Sequence, residues 1–441
     1  MLLSDTKQAV YNEIDRRGDE AIQIAKEVLV NPEPGFREYK TASIIADKLR
    51  HLGIPFQEGI AMTGLKGILE TGRPGPTVAI IGELDSHIVR GHSNADPQTD
   101  AAHACAHHTQ LGMLIAVAIG LQTPGIMENL SGRIALIAVP AEEYIEIEYR
   151  NDLRKQGKIE FLVGKSEFIK LGAFDDVDLA MMTHADNSMG HEKFNVGGTF
   201  NAMVAKQIRF VGLSAHAGSE PHVGINALNA ATLALNAIHA HRETFRNEDY
   251  IRVHPIITRG GGAVSAVPDD VRIETFIRGR TIDAVLSVCK KIDRALRAGA
   301  MAMDATVEIT TLPGVLPLQN DISFQNLHTS NVDQLLGKGN TRPRGHETGS
   351  SDMGDLSSIM PIIHPFIASA TGRSHGVDYL VHDYDLGVLT PAKSMAATVL
   401  DLLSDGAKQA REIARSYNAP LERTDYLSTV RGFASEETFR G

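Results

Sequence analysis

The segment "TVAIIGELDS" (residues 77–86) is an apolar run that ends in two acidic side chains, Glu83 and Asp85. A continuous apolar run, unlike an alternating one, is typical of a strand that is buried on both faces, as in a parallel sheet. Such strands need connections long enough to hold a helix. We therefore expect an α/β fold with a mostly parallel sheet that contains this strand.

Two further runs have the same form. They are "RIALIAVPAEE" (133–143), which ends in Glu142 and Glu143, and "VDLAMMTHAD" (177–186), which ends in His184 and Asp186. Ligands of open α/β sheets bind at the carboxyl edge of the parallel strands. The three runs together predict that carboxylates and an imidazole meet at one sheet edge.

A second unit is predicted within residues 197–314, where the elements follow the order strand, helix, strand, strand, helix, strand. That order is typical of a ferredoxin-like α+β domain. Glycines at 197–198 and the Pro313-Gly314 turn bracket it. We expect two domains, one made of residues 1–196 plus 315–441 and one made of the inserted residues 197–314.

Composition excludes several classes of protein. The chain has 441 residues, 43% hydrophobic and 22% charged, and a formal net charge of −11, which argues against nucleic acid or an anionic membrane as a partner. We find neither an apolar run close to a membrane span of ~18 residues nor a secretory signal. Two cysteines do not make a disulfide framework, so we expect a reducing, cytoplasmic location.

The scarce thiols have different surroundings. Cys289 shares a helical face with Val285 and Ile292, which indicates core packing. Cys105 lies instead in "AAHACAHHTQ" (101–110), just ahead of a predicted helix and two residues before His107. Thiolate, imidazole and carboxylate ligands bind divalent transition metals, most readily zinc, with manganese, cobalt or nickel as alternatives.

Glu142 and Glu143 strengthen the case for a metal. Two adjacent carboxylates repel each other, and their burial is costly without a cation. A solvated loop would also accommodate the pair, but the apolar run before them favours burial at the sheet edge. For His92, His103 and His108 the sequence leaves three alternatives open: direct ligation, support of the ligands, or a position on the surface.

The motifs, taken in order, resemble those of the dinuclear metallopeptidase family M-twenty, which includes aminoacylases, carboxypeptidases and succinyl-diaminopimelate desuccinylases. The similarity is greatest to the amidohydrolase branch, with hippurate hydrolase, aminobenzoyl-glutamate hydrolase and aminoacylase-like dipeptidases. It runs over about residues 30–403, and the motifs are "GELD", "HACAH", "PAEE", "GAFDDVDLAMMTH", "SAHAG", "GINALNA", "GGGAVSAVPDD", "TGSSDMGDLS", "IHPF" and "SH".

The resemblance implies a site with two divalent ions per chain, Mn²⁺ or Zn²⁺ before Co²⁺ or Ni²⁺. Cys105 would bridge the two ions. His107 and His184 would complete the ligands of one ion, and Glu143 and His375 those of the other.

The resemblance also implies roles for residues that bind no metal. Glu142 would be the general base, and Asp85 would orient a ligand. His216 would reach the substrate carbonyl from the lid of a neighbouring subunit, so the partner would be a second copy of the chain in a homodimer formed through 197–314. Arg278 and Gly262 would contact the carboxylate end of the substrate. The strand at 202–211 lacks proline, and we expect it to be the edge available for that pairing.

Four departures from the family pattern concern residues around the site. In Cys105-Ala106-His107-His108, alanine stands where the family has glycine, and the second histidine stands where it has aspartate or asparagine. Ser265 stands where the family has a substrate-binding asparagine. Residues 144–165 form a charged insertion, and 86–102 form an extension before the cysteine motif. These differences leave the identity of the substrate open.

The expected function is hydrolysis of a C–N amide bond in a small N-acyl or N-aroyl amino acid or a dipeptide-like compound, by metal-activated water with a glutamate base. One alternative is a hydrolytic deaminase of a small aromatic amine. Another is a catalytically silent metal-binding or sensing protein, against which the presence of Glu142 argues.

Overall fold

A computed structural model describes residues 3–187 and 190–441. The α-helices in this part of the chain, numbered in order, are α1 Leu3–Arg16, α2 Gly18–Leu29, α3 Tyr39–His51, α4 His107–Leu121, α5 Ile147–Lys155, α6 Gly164–Lys170, α7 Ala227–Ala240, α8 Ile282–Met301, α9 Ile322–Leu336, α10 Met353–Ser357, α11 Thr390–Leu403, α12 Lys408–Ser416 and α13 Arg423–Arg431.

The strands of the same residues are numbered in the same way. They are β1 Phe56–Ile60, β2 Gly64–Glu70, β3 Thr77–Glu83, β4 His87–Ile88, β5 Ala101–Ala102, β6 Arg133–Val139, β7 Leu179–Met181, β8 His184–Asp186, β9 Phe194–Val196, β10 Thr199–Phe200, β11 Ala202–Val211, β12 Arg252–Arg259, β13 Asp270–Gly279, β14 Thr306–Val315, β15 Leu318–Gln319, β16 Thr341–Pro343, β17 His346–Glu347, β18 Ile362–Ile363, β19 Phe366–Ala368, β20 Ala370–Thr371, β21 Leu380–Val381 and β22 Ser435–Arg440.

The central sheet has the order β1-β2-β6-β3-β7-β18. Strands β6, β3, β7 and β18 are parallel, and β1 and β2 add an antiparallel hairpin at one side. Side chains of β3 alternate between two hydrophobic cores, with Val78 and Ile80 in one and Ala79 and Ile81 in the other. The predicted α/β class with a mostly parallel sheet is therefore confirmed.

Helix α4 fixes the position of the cysteine motif. All of its residues are buried, because the helix lies between the sheet and the outer helices α2 and α11. A helix that is apolar on every side is typical of a protein core. It begins at His107, so that histidine stands at the buried end of the helix, two residues after Cys105.

A second sheet has the order β12-β13-β11-β14-β22 with antiparallel pairing throughout. Its first four strands have the order of a ferredoxin-like domain, and α7 and α8 cover one face. Helix α8 begins after Thr281, whose hydroxyl accepts the N–H of Ala284. The prediction that 202–211 is the edge strand is wrong: β11 lies between β13 and β14, and β12 is the edge.

The charged insertion at 144–165 lies beneath this second sheet. Tyr144, Ile147 and Leu162 pack against Met203 and Leu312 on the sheet face that the helices leave uncovered. The insertion thus fills the space between the two units.

The last residues depart from the expected division of the chain. Helix α13 packs on the central unit through Tyr426 and Val430, but β22 pairs with β14 of the second sheet. The expected assignment of 315–441 to the first unit therefore does not hold for residues 435–440. We keep the division into two domains as a proposal, with residues 435–440 assigned to the second one.

Among the described residues, the segment Asp385–Leu403 has the length and mean hydropathy (1.3) of a membrane-spanning helix, and 78% of it is buried inside the protein. The expectation that no apolar stretch reaches this length was too strong.

Candidate metal centre

The polar ends of β3, β6 and β7 meet at one edge of the central sheet, as the sequence predicted. Cys105, His107 and His184 form one group whose ligand atoms all lie within 4.8 Å of one another. The Cys105 Sγ is 3.1 Å from the Nε2 of His184. A second group of the same kind contains Glu143 and His375, whose Oε1 and Nε2 are 3.2 Å apart.

The chemistry of these donors fits divalent metal ions. Burial alone would raise the pKa of the Cys105 thiol, but the imidazoles of His184 and His107 outweigh it and bring that pKa to about 5. The thiolate is the form that binds metal. The buried Nε2 of His107 and Oε1 of Glu143 make no hydrogen bond within the described residues, and a cation would satisfy both.

His87 is a candidate ligand that the sequence analysis missed. It belongs to the second group, with Glu143 and His375, and its ring stacks on that of His375 at a centroid distance of 4.3 Å. Its Nδ1 is 2.9 Å from the carbonyl oxygen of Ile88, which leaves Nε2 for the site. The available signal was its position in the 86–102 extension, two residues after Asp85.

Asp85 touches both groups. Its Oδ2 accepts the backbone N–H of Glu143 at 2.9 Å, and its Oδ1 is 3.2 Å from the Nδ1 of His107. This Nδ1 also lies 2.9 Å from the carbonyl oxygen of Asp85. Such contacts fix the ring of His107 so that Nε2 faces the site.

Glu142 lies beside the ligands and lines the cavity. Its Oε2 is 4.0 Å from the Nε2 of His107. Burial, followed by the negative charges of Glu83, Asp352 and Glu143, raises its pKa well above the ordinary value for a glutamate. A carboxylate with a raised pKa in a cleft is suited to general acid and base chemistry.

A buried lysine balances part of this negative charge. The Nζ of Lys165 lies 2.6 Å from Glu83 and 2.5 Å from Asp352, and all three side chains are fully buried. The other oxygen of Glu83 accepts a hydrogen bond from the amide of Gln110 at 2.9 Å and lies 3.1 Å from the Nε2 of His107. Glu83, His107 and Glu142 form a third group of possible metal ligands. The sequence analysis noted Glu83 at a strand end but gave it and Lys165 no role.

A cavity of about 650 Å³ opens over both ligand groups. Arg278 reaches it from β13 of the second sheet, and its Nε makes no hydrogen bond within the described residues. Burial lowers the pKa of its guanidinium, and the charges of Glu143 and Glu142 raise it. The expected substrate contact of Arg278 is thus compatible with its place in the cavity wall.

Three other candidates lie elsewhere. His216, Gly262 and Ser265 are exposed on loops of the second sheet, and they do not belong to the described residues that line the cavity. The loops touch, because the N–H of Ala217 donates to the carbonyl of Ser265 at 2.8 Å.

The three histidines whose role the sequence left undecided, His92, His103 and His108, are buried. His103 and His108 lie with ring centroids 5.3 Å apart, and the Nε2 of His92 is 2.8 Å from the carbonyl oxygen of Tyr379. Within the described residues, none of them joins a ligand group. Their burial excludes the surface alternative.

The backbone is strained next to several of these residues. Ala106, Ala141 and His375 have φ values of 61°, 54° and 59°. Side chains other than glycine reach this left-handed region at a cost of about 1–2 kcal/mol, and such strain is concentrated at functional sites. The conformation of Ala106 explains why a glycine is the usual residue there in the family.

Comparison with known proteins agrees with this geometry. Residues 198–303 match the family model described as a peptidase dimerisation domain. The Xaa-Arg dipeptidase of Mus musculus is 24% identical over 344 residues, covering 74% of this chain and 73% of that protein. One of the subunits of the p-aminobenzoyl-glutamate hydrolase of Escherichia coli is 27% identical over 316 residues, covering 67% of this chain and 60% of that subunit. A dinuclear metal-binding peptidase of the M20 family from Bacillus subtilis has a TM-score of 0.63 at 18% identity, covering 87% of this chain and 98% of that one.

Paired ligand groups at the carboxyl edge of a mostly parallel sheet, together with these relatives, define a metal-dependent hydrolase of C–N bonds. In its ordered motifs, in the match of residues 198–303 and in its relatives, the chain is similar to the M20 family of aminoacylases, carboxypeptidases and related amidohydrolases.

Proposed function

We propose that the protein hydrolyses the amide bond of a small N-acyl or N-aroyl amino acid or of a dipeptide-like compound. The observation that carries the proposal is the meeting of two ligand groups, the half-buried carboxylate of Glu142 and the guanidinium of Arg278 in one cavity. The dipeptidase and the p-aminobenzoyl-glutamate hydrolase among its relatives support this substrate class.

Each ligand has a place in this proposal. His107, His184 and Cys105 would hold one divalent ion, and Glu143 and His375 would hold a second, with Cys105 as their shared ligand. Two such cations would lower the pKa of a shared water and polarise the scissile carbonyl. Thiolate, imidazole and carboxylate together suit Mn²⁺ or Zn²⁺.

The remaining residues act on the proton and on the substrate. Glu142 accepts the proton of the attacking water at its carboxylate and delivers it to the leaving nitrogen. Asp85 keeps the Nε2 of His107 turned toward the site. Arg278 binds the substrate carboxylate, since a guanidinium pairs with a carboxylate through two parallel hydrogen bonds.

The second copy of the chain is part of the proposed enzyme. A dimer through residues 197–314 is supported by the match of 198–303 to a dimerisation domain. Edge strand β12 carries Ile256 and Ile257, both exposed in the single chain. An unpaired edge with apolar side chains is a template for pairing between chains. In such a dimer, His216 of one chain reaches the cavity of the other.

The test is a substrate panel given to the full chain after loading with Mn²⁺ or Zn²⁺. The panel contains N-acetyl, N-benzoyl and aminobenzoyl amino acids, dipeptides and aminobenzoates. We expect equal amounts of free amino acid and carboxylic acid from at least one amide, and loss of activity with a chelator. Release of ammonia from an aminobenzoate, without a carboxylic acid product, would instead establish the deaminase. Glu142→Gln serves as the control for a contaminating activity.

A further inference from the structure

His364 stands in the wall of the cavity and has no role in the proposed mechanism. Its side chain is buried, with 2% of its surface exposed, and it lines the cavity together with Arg278 and Glu142. The backbone N–H of His364 donates to the Oδ1 of Asn320 at 2.6 Å, which fixes the start of the "IHPF" segment. The position of its ring is therefore determined by the fold.

Neither ring nitrogen of His364 makes a hydrogen bond within the described residues. Buried polar atoms in proteins are nearly always hydrogen-bonded, and the exceptions need an explanation. A neutral imidazole ring offers one donor and one acceptor.

Aromatic rings hold His364 in place on two sides. Its centroid lies 4.8 Å from that of Phe366 and 6.2 Å from that of Phe200, with which it is stacked at 30°. The ring of His184, a candidate metal ligand, is 6.1 Å away. His364 therefore lies between the candidate ligand His184 and the aromatic side chains of Phe200 and Phe366, and it adds a polar side chain to this aromatic wall of the cavity.

His328 is a second buried histidine, and its ring is hydrogen-bonded within the protein core. His328 is 1% exposed and packs against the ring of Phe194. Its Nε2 lies 3.1 Å from the hydroxyl of Ser394, so its ring is satisfied inside the core. The two rings are equally buried, but only the ring of His364 lines the cavity.

We propose that His364 hydrogen-bonds an uncharged polar group of the bound substrate, such as an amide or ketone carbonyl or a hydroxyl, and so determines which substrates the enzyme prefers. The inference rests on the proposed amide hydrolysis. Arg278 supplies the charge for a carboxylate, and His364 supplies a neutral donor and acceptor at the aromatic wall. Substrates with a hydrogen-bonding group at that wall are favoured over purely hydrocarbon ones.

The test is His364→Phe in the metal-loaded full chain, assayed with the best amide of the panel above. Phenylalanine keeps a flat ring against Phe200 and Phe366 but removes both nitrogens. We expect kcat/KM to fall about tenfold or more, mainly through KM, since one hydrogen bond to the substrate is lost. We also expect unchanged metal content and a Tm equal to or above that of the wild type, because two unsatisfied polar atoms leave the interior.

Two conservative variants identify the nitrogen that binds. Asparagine places its amide near the position of Nδ1, and glutamine near that of Nε2. One of His364→Asn and His364→Gln should recover most of the lost kcat/KM. The matched control is His328→Phe, which should lower Tm by breaking the bond to Ser394 and leave kcat/KM within twofold of the wild type.

Other results overturn the inference. A kcat/KM of His364→Phe within twofold of the wild type means that the ring only packs, and loss of metal from this variant means that it ligates. In both cases the wild-type enzyme still hydrolyses amides and the proposed function stands. If the wild type hydrolyses no amide of the panel, the proposed function fails, and the role of His364 fails with it.

Discussion

The Nζ of Lys165 lies 2.6 Å from the Oε1 of Glu83, and neither side chain is exposed to solvent. Burial alone would lower the pKa of Lys165, but Asp352 and Glu83 outweigh it and raise that pKa, so the lysine is charged. Since Glu83 also lies beside the Nε2 of His107, the lysine holds in place a carboxylate that borders the metal site.

Lys165→Met should lower the free energy of unfolding by about 3–5 kcal/mol, because it leaves two buried carboxylates without a cation. It should also reduce metal affinity, since Glu83 is then free to change its contact with His107. Denaturant unfolding and metal analysis after dialysis measure the two effects. The control is Lys206→Met in β11, where a buried lysine pairs with Asp293 at 2.8 Å. That variant should lose stability and keep its metal; equal metal loss in both would contradict the role of Lys165.

Glu142→Gln should lower kcat by at least ~10²-fold, the usual contribution of a general base. Its metal content should stay near that of the wild type, because Glu142 only borders the two main ligand groups. Glu143→Gln should instead reduce metal occupancy, since Glu143 belongs to the group with His375. Kinetics and elemental analysis of both variants decide the question. The assignment is wrong if both substitutions remove metal to the same extent.

His87→Leu should weaken the binding of one of the two ions by about 10–100-fold, if its Nε2 completes the ligands around Glu143 and His375. A chelator titration of the cobalt-loaded protein, followed by the visible absorption of the metal, measures this affinity. His92→Leu is the matched control from the same extension, because His92 bonds the carbonyl of Tyr379 and joins no ligand group among the described residues. Equal affinities in the wild type and His87→Leu would remove His87 from the site.

Asp355 makes stability depend on pH. Burial, followed by the charge of Asp352, raises its pKa from 3.8 to about 8. The folded state therefore binds the proton more tightly than the unfolded state, and the stability from this group, complete below pH 3.8, is lost as pH rises through about 8. Asp355→Asn is neutral at every pH. Its Tm should exceed that of the wild type by an amount that grows between pH 5 and 9, and a difference that stays constant with pH would contradict the raised pKa.

His216 and Glu142 should act across the dimer. His216→Ala and Glu142→Gln chains, each inactive alone, should recover about a quarter of wild-type activity after mixing and subunit exchange, because half of the dimers are hybrids with one complete site. A mixture of Glu142→Gln and Glu143→Gln is the control and should stay inactive, since both residues serve the site of their own chain. If the first mixture stays inactive although subunits exchange, His216 acts within its own chain.

The sequence predicted most of the site because its ligands follow strands that are recognisable by apolar runs. Glu143 and His184 reach the sheet edge for that reason, whereas Cys105 lies just before α4 and was indicated by the motif that it shares with the family. It could not predict His87 or Lys165, because their approach depends on how the extension and the insertion fold back over the sheet edge. The edge strand was mistaken for a related reason: pairing order is a property of the whole sheet, and the apolar character of β11 reflects a central position.

The C-terminal strand limits how far the second sheet can move. Helix α13 ends at Arg431 on the central unit, and β22 begins at Ser435 on the second sheet, so three residues join two anchored elements. An extended chain spans about 3.5 Å per residue, and the four steps from Arg431 to Ser435 give this connection a reach of about 14 Å. This short connection therefore limits how far the second sheet can move away from the central unit on this side, unless the six residues of β22 first lose their pairing with β14.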